Sequence, residues 1–384
     1  MSRAGRAAAG GTTVAGTVVT GAAGAAAARA AYRSLRQHPP AGEKTWTRTN
    51  HRGELVTLLE GPAVAVGAIT AEVISAAVAA RLSGRLGATA TADSQLQFSP
   101  ERTVGSHASL AMAVAGAGAL GFGVLDDLAG SGRRRGLKGH LGALAHGEVT
   151  TGSVKLAGLA ATGLAGGLLL GGRRSDAAIN AALIAGGANL LNLFDLRPGR
   201  AVKVAALSAG LIAVGGAGGP DRSAGLAAVA APLGAGLALL PEDLAERAML
   251  GDAGANTLGA MLGAAAAGSL PRPARAGLLA GIVALTVASE KVSFTKVIEA
   301  VPTLRRLDML GRRPAAPTAP AAAASAAAST GPAAEGDPPD GGQVIRLSGR
   351  RAGRHRRVGS GEDRVRSINW LLGFFFRALA RQEQ

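Results

Sequence analysis

Charge is bunched along this chain, and the stretches between the bunches are apolar. Of its 384 residues, 17% are charged and 48% hydrophobic, against about 25% charged in an average soluble domain. The uncharged stretches run for about 17–25 residues, the length that carries an α-helix across roughly 30 Å of hydrocarbon. The fold expected is therefore all-α: a polytopic integral membrane protein with about nine transmembrane helices. Spans are expected near residues 8–28, 55–80, 105–125, 153–171, 177–194, 201–218, 223–241, 253–270 and 274–289. Those near 8–28 and 201–218 are the weakest, because Ala and Gly contribute little insertion energy.

The 58 glycines are best read as packing residues that let helices approach closely where lipid removes the usual hydrophobic drive. Basic residues divide unevenly between alternate loops. Loops after odd-numbered spans carry, among others, Arg29, Arg33, Arg36, Arg48, Arg52, Arg133, Lys138, Lys155, Arg197, Arg200, Arg247, Lys291, Lys296, Arg305 and Arg306. The opposite set carries about half as many, so the positive-inside rule puts odd loops in the cytoplasm and the N-terminus outside, in a plasma membrane. Residues 1–313 form the membrane domain. Residues 314–367 read as a Pro/Ala-rich and basic linker, and 368–384 as a short amphipathic helix too short to span. The basic tail and the net charge of +16 suit anionic membrane lipids, and no nucleic-acid partner is expected.

Three groups of polar residues sit at span ends where solvation alone does not account for them. "GFGVLDDLAG" closes the third span with Asp126 and Asp127. "GGANLLNLFDLRPGRA" closes the fifth with Asn189, Asn192 and Asp195. "MLGDAGANTLG" opens the eighth with Asp252 and Asn256. The inferred topology puts all three on the cytoplasmic rim. Asn189, Asn192 and Asp195 recur every third residue and share a helical face, drifting about 60° per step. Oxygen ligands at a membrane surface suit a hard cation, and Mg²⁺ is commonly held by one or two carboxylates plus substrate phosphates. Each group also has a plainer reading: Asp252 as a helix N-cap, the Asp pair as a solvated helix end, the asparagines as interhelical glue.

With these residues in view, the chain resembles the polyprenyl-phosphate N-acetylhexosamine-1-phosphate transferases over about residues 10–313. Asp126 and Asp127 match that family's Asp-Asp pair. Asn189, Asn192, Leu193 and Asp195 match its Asn-x-x-Asn-Leu-x-Asp, and Gly251, Asp252 and Gly254 its Gly-Asp-x-Gly. The resemblance implies a dimeric, all-helical membrane enzyme of cell-wall glycan synthesis, with its site facing the cytoplasm. Its substrates would be a UDP-sugar and undecaprenyl phosphate, and its products UMP and a lipid-linked sugar diphosphate. It also implies Mg²⁺ on Asp252 and Asp126, with Asp126, Asp127 and Asp195 as catalytic residues and Asn189 and Asn192 lining the substrate site.

The chain departs from the family at three places. Gly130 stands where the family carries lysine after its Asp pair, with Lys138 farther along the same loop. Leu196 stands where the family has glycine. Arg305 and Arg306, in "PTLRRLDMLG", stand where it carries a His motif, and guanidinium there suits a diphosphate clamp. A rival reading is a non-catalytic relative that binds a lipid-phosphate intermediate or an envelope partner protein. A transporter would place its polar groups near the midplane, whereas these acids lie at one rim.

Overall fold

In a computed structural model the chain is described over residues 3–88, 100–129, 151–216 and 224–314. Lys138 and the expected linker and C-terminal helix, from residue 315 on, lie outside the described residues. Long helices dominate: α1 (Arg3–Gln37), α3 (Glu60–Ala88), α4 (Pro100–Ala129), α5 (Thr151–Leu169), α6 (Arg174–Phe194), α7 (Arg200–Gly216), α8 (Ala224–Leu244), α9 (Gly251–Ser269) and α10 (Arg272–Ser289). Short helices are α2 (Glu43–Trp46), α11 (Phe294–Ala300) and α12 (Pro302–Met309).

A helix stands at each place where a span was expected. Six of them are long and apolar enough to cross a membrane, from Val14–Gln37 to Gly225–Leu244, and the protein is a multi-pass membrane protein. By length and apolarity alone the described residues give six crossings, or seven if α10 and α11, bent by 96° between them, count as one span. The second span begins at Glu60 and not near residue 55. The reason is an antiparallel hairpin, β1 (Thr47–Thr49) with β2 (Leu55–Thr57), in which Arg48 pairs with Val56. Leu55 to Thr57 join that ladder and so cannot begin the helix.

Helix α9 runs through the middle of the bundle and is buried continuously from Ala253 to Ala267. A helix that is apolar all round has no solvated face to offer and ends enclosed. Glycines set how closely its neighbours come. A Cβ added at Gly123 of α4 would lie 2.6 Å from the Ala253 Cα, and one at Gly254 would lie 2.8 Å from the Gly61 Cα. These contacts fall within a turn of Asp126, Asp127 and Asp252, so the packing that seats α9 also fixes where the acids stand.

The connections after alternate helices gather at one end and bond to each other. The Arg48 guanidinium donates to the Asp127 carbonyl, Asn50 to Glu246 at 3.0 Å, and the Met249 N–H to the Thr57 carbonyl at 2.8 Å. The Gly199 N–H donates to Asp243 at 2.8 Å, and Arg313 pairs with Glu54 at 2.9 Å. At the opposite end Arg275 donates to Asn180 at 2.7 Å and lies 3.5 Å from Asp176.

Candidate functional site

The site is built where α4 ends and α9 begins. Gly251 adopts φ of 62°, a left-handed turn that side chains with a Cβ rarely take, and a Cβ there would lie 3.1 Å from an Asp127 oxygen. The turn aims the first N–H groups of α9 at α4. Asp127 receives them: its Oδ1 accepts from the Asp252 N–H at 3.0 Å and its Oδ2 from the Ala253 N–H at 2.9 Å. A carboxylate at a helix N-terminus satisfies orphan donors and complements the helix dipole. The residue at the N-cap position itself, Leu250, supplies no side-chain cap. Asp252 is therefore not the cap of its own helix; Asp127 performs that role from a neighbouring one, and the Asp252 carboxylate is left for other partners.

One of those partners is Lys155, near the start of α5. Its ammonium pairs with Asp126 Oδ2 at 3.2 Å and with Asp252 Oδ2. Asp126 and Asp252, both half-buried, thus face a single cationic point, and Lys155 itself is buried. Its basic charge was expected to serve only the positive loop. The available signal was its position, the only charge in an otherwise apolar stretch from residue 153 to 171.

Asp195 caps the C-terminal end of α6, where its N–H donates to the Asn192 carbonyl at 3.1 Å. Part of its surface stays open, yet burial of the carboxyl, reinforced by the charges of Asp243, Asp252 and Asp127, pushes it well above the usual carboxylate range. The Gly251 N–H pulls weakly the other way. Asn189 and Asn192 are half-buried in the last turns of α6. Two further polar groups stand here; Asn256 was expected beside Asp252, whereas Glu60 was not. Glu60 is fully buried with both carboxylate oxygens unpaired among the described residues, within electrostatic reach of Asp243 and Asp195. Asn256, one turn beyond Asp252, is fully buried with its amide unpaired.

Arg305 and Arg306 sit on α12, exposed and without an ion pair among the described residues. The segment carrying them is anchored beside Asp195. Arg200 grips Asp308 with two hydrogen bonds, at 2.7 Å and 3.0 Å, while Arg312 reaches the Pro198 carbonyl at 2.9 Å. The Phe194 and Phe294 rings stack at 4.9 Å. The structure thus brings together Asp126, Asp127, Asp252 and Asp195, adds Lys155, and holds the two arginines on a neighbouring segment. Among the described residues no three His, Cys, Asp or Glu side chains are grouped closely enough to hold a metal by themselves. Mg²⁺ does not need three. Two carboxylates meeting at one cationic point are the protein share of such a site, with substrate phosphates and water supplying the rest.

In comparison with known proteins, no family model matches this chain and no curated protein matches it.

Proposed function

We propose that this protein transfers a sugar-1-phosphate from a UDP-sugar to undecaprenyl phosphate at the cytoplasmic face of the plasma membrane, releasing UMP for envelope glycan synthesis. The observation that carries the reading is the convergence of Asp126 and Asp252, from different helices, on the Lys155 ammonium at the end of a membrane bundle. The same reading takes all nine long helices as spans, with the N-terminus outside, because the loops that assemble around the acids are the more basic set.

In this reaction an oxygen of the lipid phosphate attacks the sugar-bearing phosphorus of the UDP-sugar. A new phosphoanhydride forms, the old one breaks, and UMP leaves with the bond's electron pair. Repulsion between two phosphate groups is the main obstacle, so positioning and charge neutralisation dominate. Asp126 and Asp252 would hold Mg²⁺, which when bound neutralises phosphate charge. Lys155 orients both carboxylates and gives a phosphate oxygen a charge-assisted donor. A phosphate monoester is largely dianionic at pH 7, with a second pKa of about 6 by analogy with phosphoserine, so Asp126 need act only as a weak base. Asp127 holds α9 in place. Arg305 and Arg306 would bind the nucleotide diphosphate in bidentate fashion. Only helix ends at the membrane boundary can serve a lipid substrate and a cytosolic one together.

A second reading, a binding module for a lipid-phosphate intermediate, draws support from Lys155, which already neutralises the two acids that a metal would use. Purified protein supplied with undecaprenyl phosphate, Mg²⁺ and a panel of UDP-sugars separates the two. UMP release with at least one donor supports the transferase. Folded protein that retains undecaprenyl phosphate but releases no UMP with any donor supports the binding module.

A further inference from the structure

Between the last turns of α1 and the end of α8 lies a groove of about 470 Å³, apart from the acid site. Arg29, Arg33 and Arg36 line one wall, and Leu239 and Pro241 the other. The three arginines recur at i, i+4 and i+7 and so share one helical face, where like charges repel. Among the described residues none of them makes an ion pair within 4 Å; Arg29 reaches only the Ala238 carbonyl, at 3.4 Å. The acid in the groove, Glu242, is held by Arg247 at 2.7 Å. Tyr32 lies among the arginines, 6% exposed, and its buried hydroxyl makes no hydrogen bond among the described residues. Arg36 stands over its ring, 5.9 Å from the centroid, and its guanidinium comes near the hydroxyl without reaching hydrogen-bond geometry. A concave site with surplus guanidinium charge and an orphaned hydroxyl donor has the chemistry of a phosphate receptor.

The rest of α1 decides which phosphate. Val18 is 65% exposed. Arg29 follows it by eleven residues and Arg36 by eighteen, which return to nearly the same azimuth on a helix of 3.6 residues per turn. The arginine face is thus the upward continuation of an exposed apolar face. At 1.5 Å per residue Val18 lies about 16 Å below Arg29, close to the depth of one hydrocarbon leaflet, about 15 Å. A chain lying along the valine face would bring its headgroup into the groove.

We propose that the groove between α1 and α8 binds the headgroup phosphate of an anionic phospholipid, with its acyl chain along the outer face of α1. Arg29, Arg33 and Arg36 neutralise the phosphate, and the Tyr32 hydroxyl donates to one of its oxygens. The site lies outside the proposed catalytic residues, and lipid binding there does not depend on transfer activity.

The test is retention of phosphatidylglycerol by the full chain, reconstituted in phosphatidylcholine nanodiscs of graded phosphatidylglycerol content and read by native mass spectrometry. Each basic side chain beside an anionic lipid contributes about fivefold, so R29Q/R33Q/R36Q should weaken retention on the order of 100-fold. Tyr32→Phe, a change too small to disturb folding, should weaken it about fivefold. K291Q/K296Q, which removes exposed charge elsewhere, should leave it unchanged. Millimolar inorganic phosphate should not displace the lipid. Equal retention by the triple variant, an equal loss in the K291Q/K296Q control, or full displacement by inorganic phosphate would each overturn the proposal, the last by assigning the groove to a soluble phosphate.

Discussion

Asp127 and Asp252 are joined side chain to main chain: the Asp127 carboxylate accepts from the Asp252 N–H at 3.0 Å and from the Ala253 N–H at 2.9 Å. Two adjacent aspartates that look equivalent in sequence are thereby separated in role. Asp127 is committed to holding α9, whereas Asp126 faces Lys155 and the Asp252 carboxylate. The interhelical cap places the Asp252 side chain, so Asp127 sets the geometry of Asp252.

The two should respond differently to truncation. Asp127→Ala leaves two N–H groups at the start of α9 without their acceptor and should cost about 1–3 kcal/mol of stability. Asp126→Ala, which leaves Lys155 its second partner Asp252, should cost clearly less stability than Asp127→Ala while removing UMP release. Thermal denaturation in detergent, alongside the release assay, measures both. Equal destabilisation by the two variants would contradict the division of roles.

The Lys155 ammonium stands between Asp126 and Asp252, and its removal leaves the two carboxylates facing each other uncompensated. A ligand that binds only the folded state stabilises it by mass action. Lys155→Gln should therefore make thermal stability strongly dependent on Mg²⁺, with a larger rise in Tm across a magnesium titration than the parent protein shows. Asp252→Asn should abolish that dependence and turnover while the protein stays folded. A K155Q variant indifferent to Mg²⁺ would argue against a shared carboxylate site.

Much of this arrangement is legible in the sequence because lipid imposes a coarse rule: long uncharged runs become helices, and acids at their ends stand out. Asp126, Asp195 and Asp252 come together as expected from loop parity alone. What escaped is what long-range contact decides. Lys155 reads as loop charge until the neighbouring acids are seen. Glu60 falls inside the expected span near 55–80 without standing out, and only the surrounding helices bury it. Asp252 has the local pattern of an N-cap, but Gly251 turns the chain so that Asp127 takes that place. The hairpin at Thr47–Thr57 has only three residues in each strand, too short a pattern to stand out in the sequence, and Arg48 and Asn50 tie it to distant partners. Helices α7 and α9 are short and rich in Ala and Gly, which blurs the count of crossings.

Glycine contacts that seat α9 give a paired test within one helix. A Cβ at Gly123 would meet the Ala253 Cα at 2.6 Å, whereas one at Gly121 would meet nothing within 4 Å. Gly123→Ala should force α4 off α9 and cost about 1–3 kcal/mol, with UMP release falling as the acids separate. Gly121→Ala should be neutral or slightly stabilising, since Ala exceeds Gly in helix propensity by about 1 kcal/mol. Indistinguishable melting of the two variants would show that α4 and α9 are not in the close contact described.

The segment carrying Arg305 and Arg306 is held by the buried Arg200–Asp308 pair, in which both side chains are under 10% exposed. Burial pushes the Asp308 carboxyl up. The hydrogen bonds from Arg200, with the charges of Arg200, Arg312 and Lys203, outweigh it and hold the group below its ordinary value of 3.8. A depressed carboxyl stabilises the fold fully above the unfolded value, and that contribution is lost as pH falls through the folded one. The α12 segment should therefore stay docked from neutral pH down to about pH 4 and loosen below it, as limited proteolysis by an acid-active protease would read. Asp308→Ala, which strands Arg200 as a buried unpaired cation, should cost about 3–5 kcal/mol, whereas the R200M/D308L double variant should lose much less. If the double variant were as unstable as the single one, the pair would not be the anchor, and the docking of the α12 segment would need another cause.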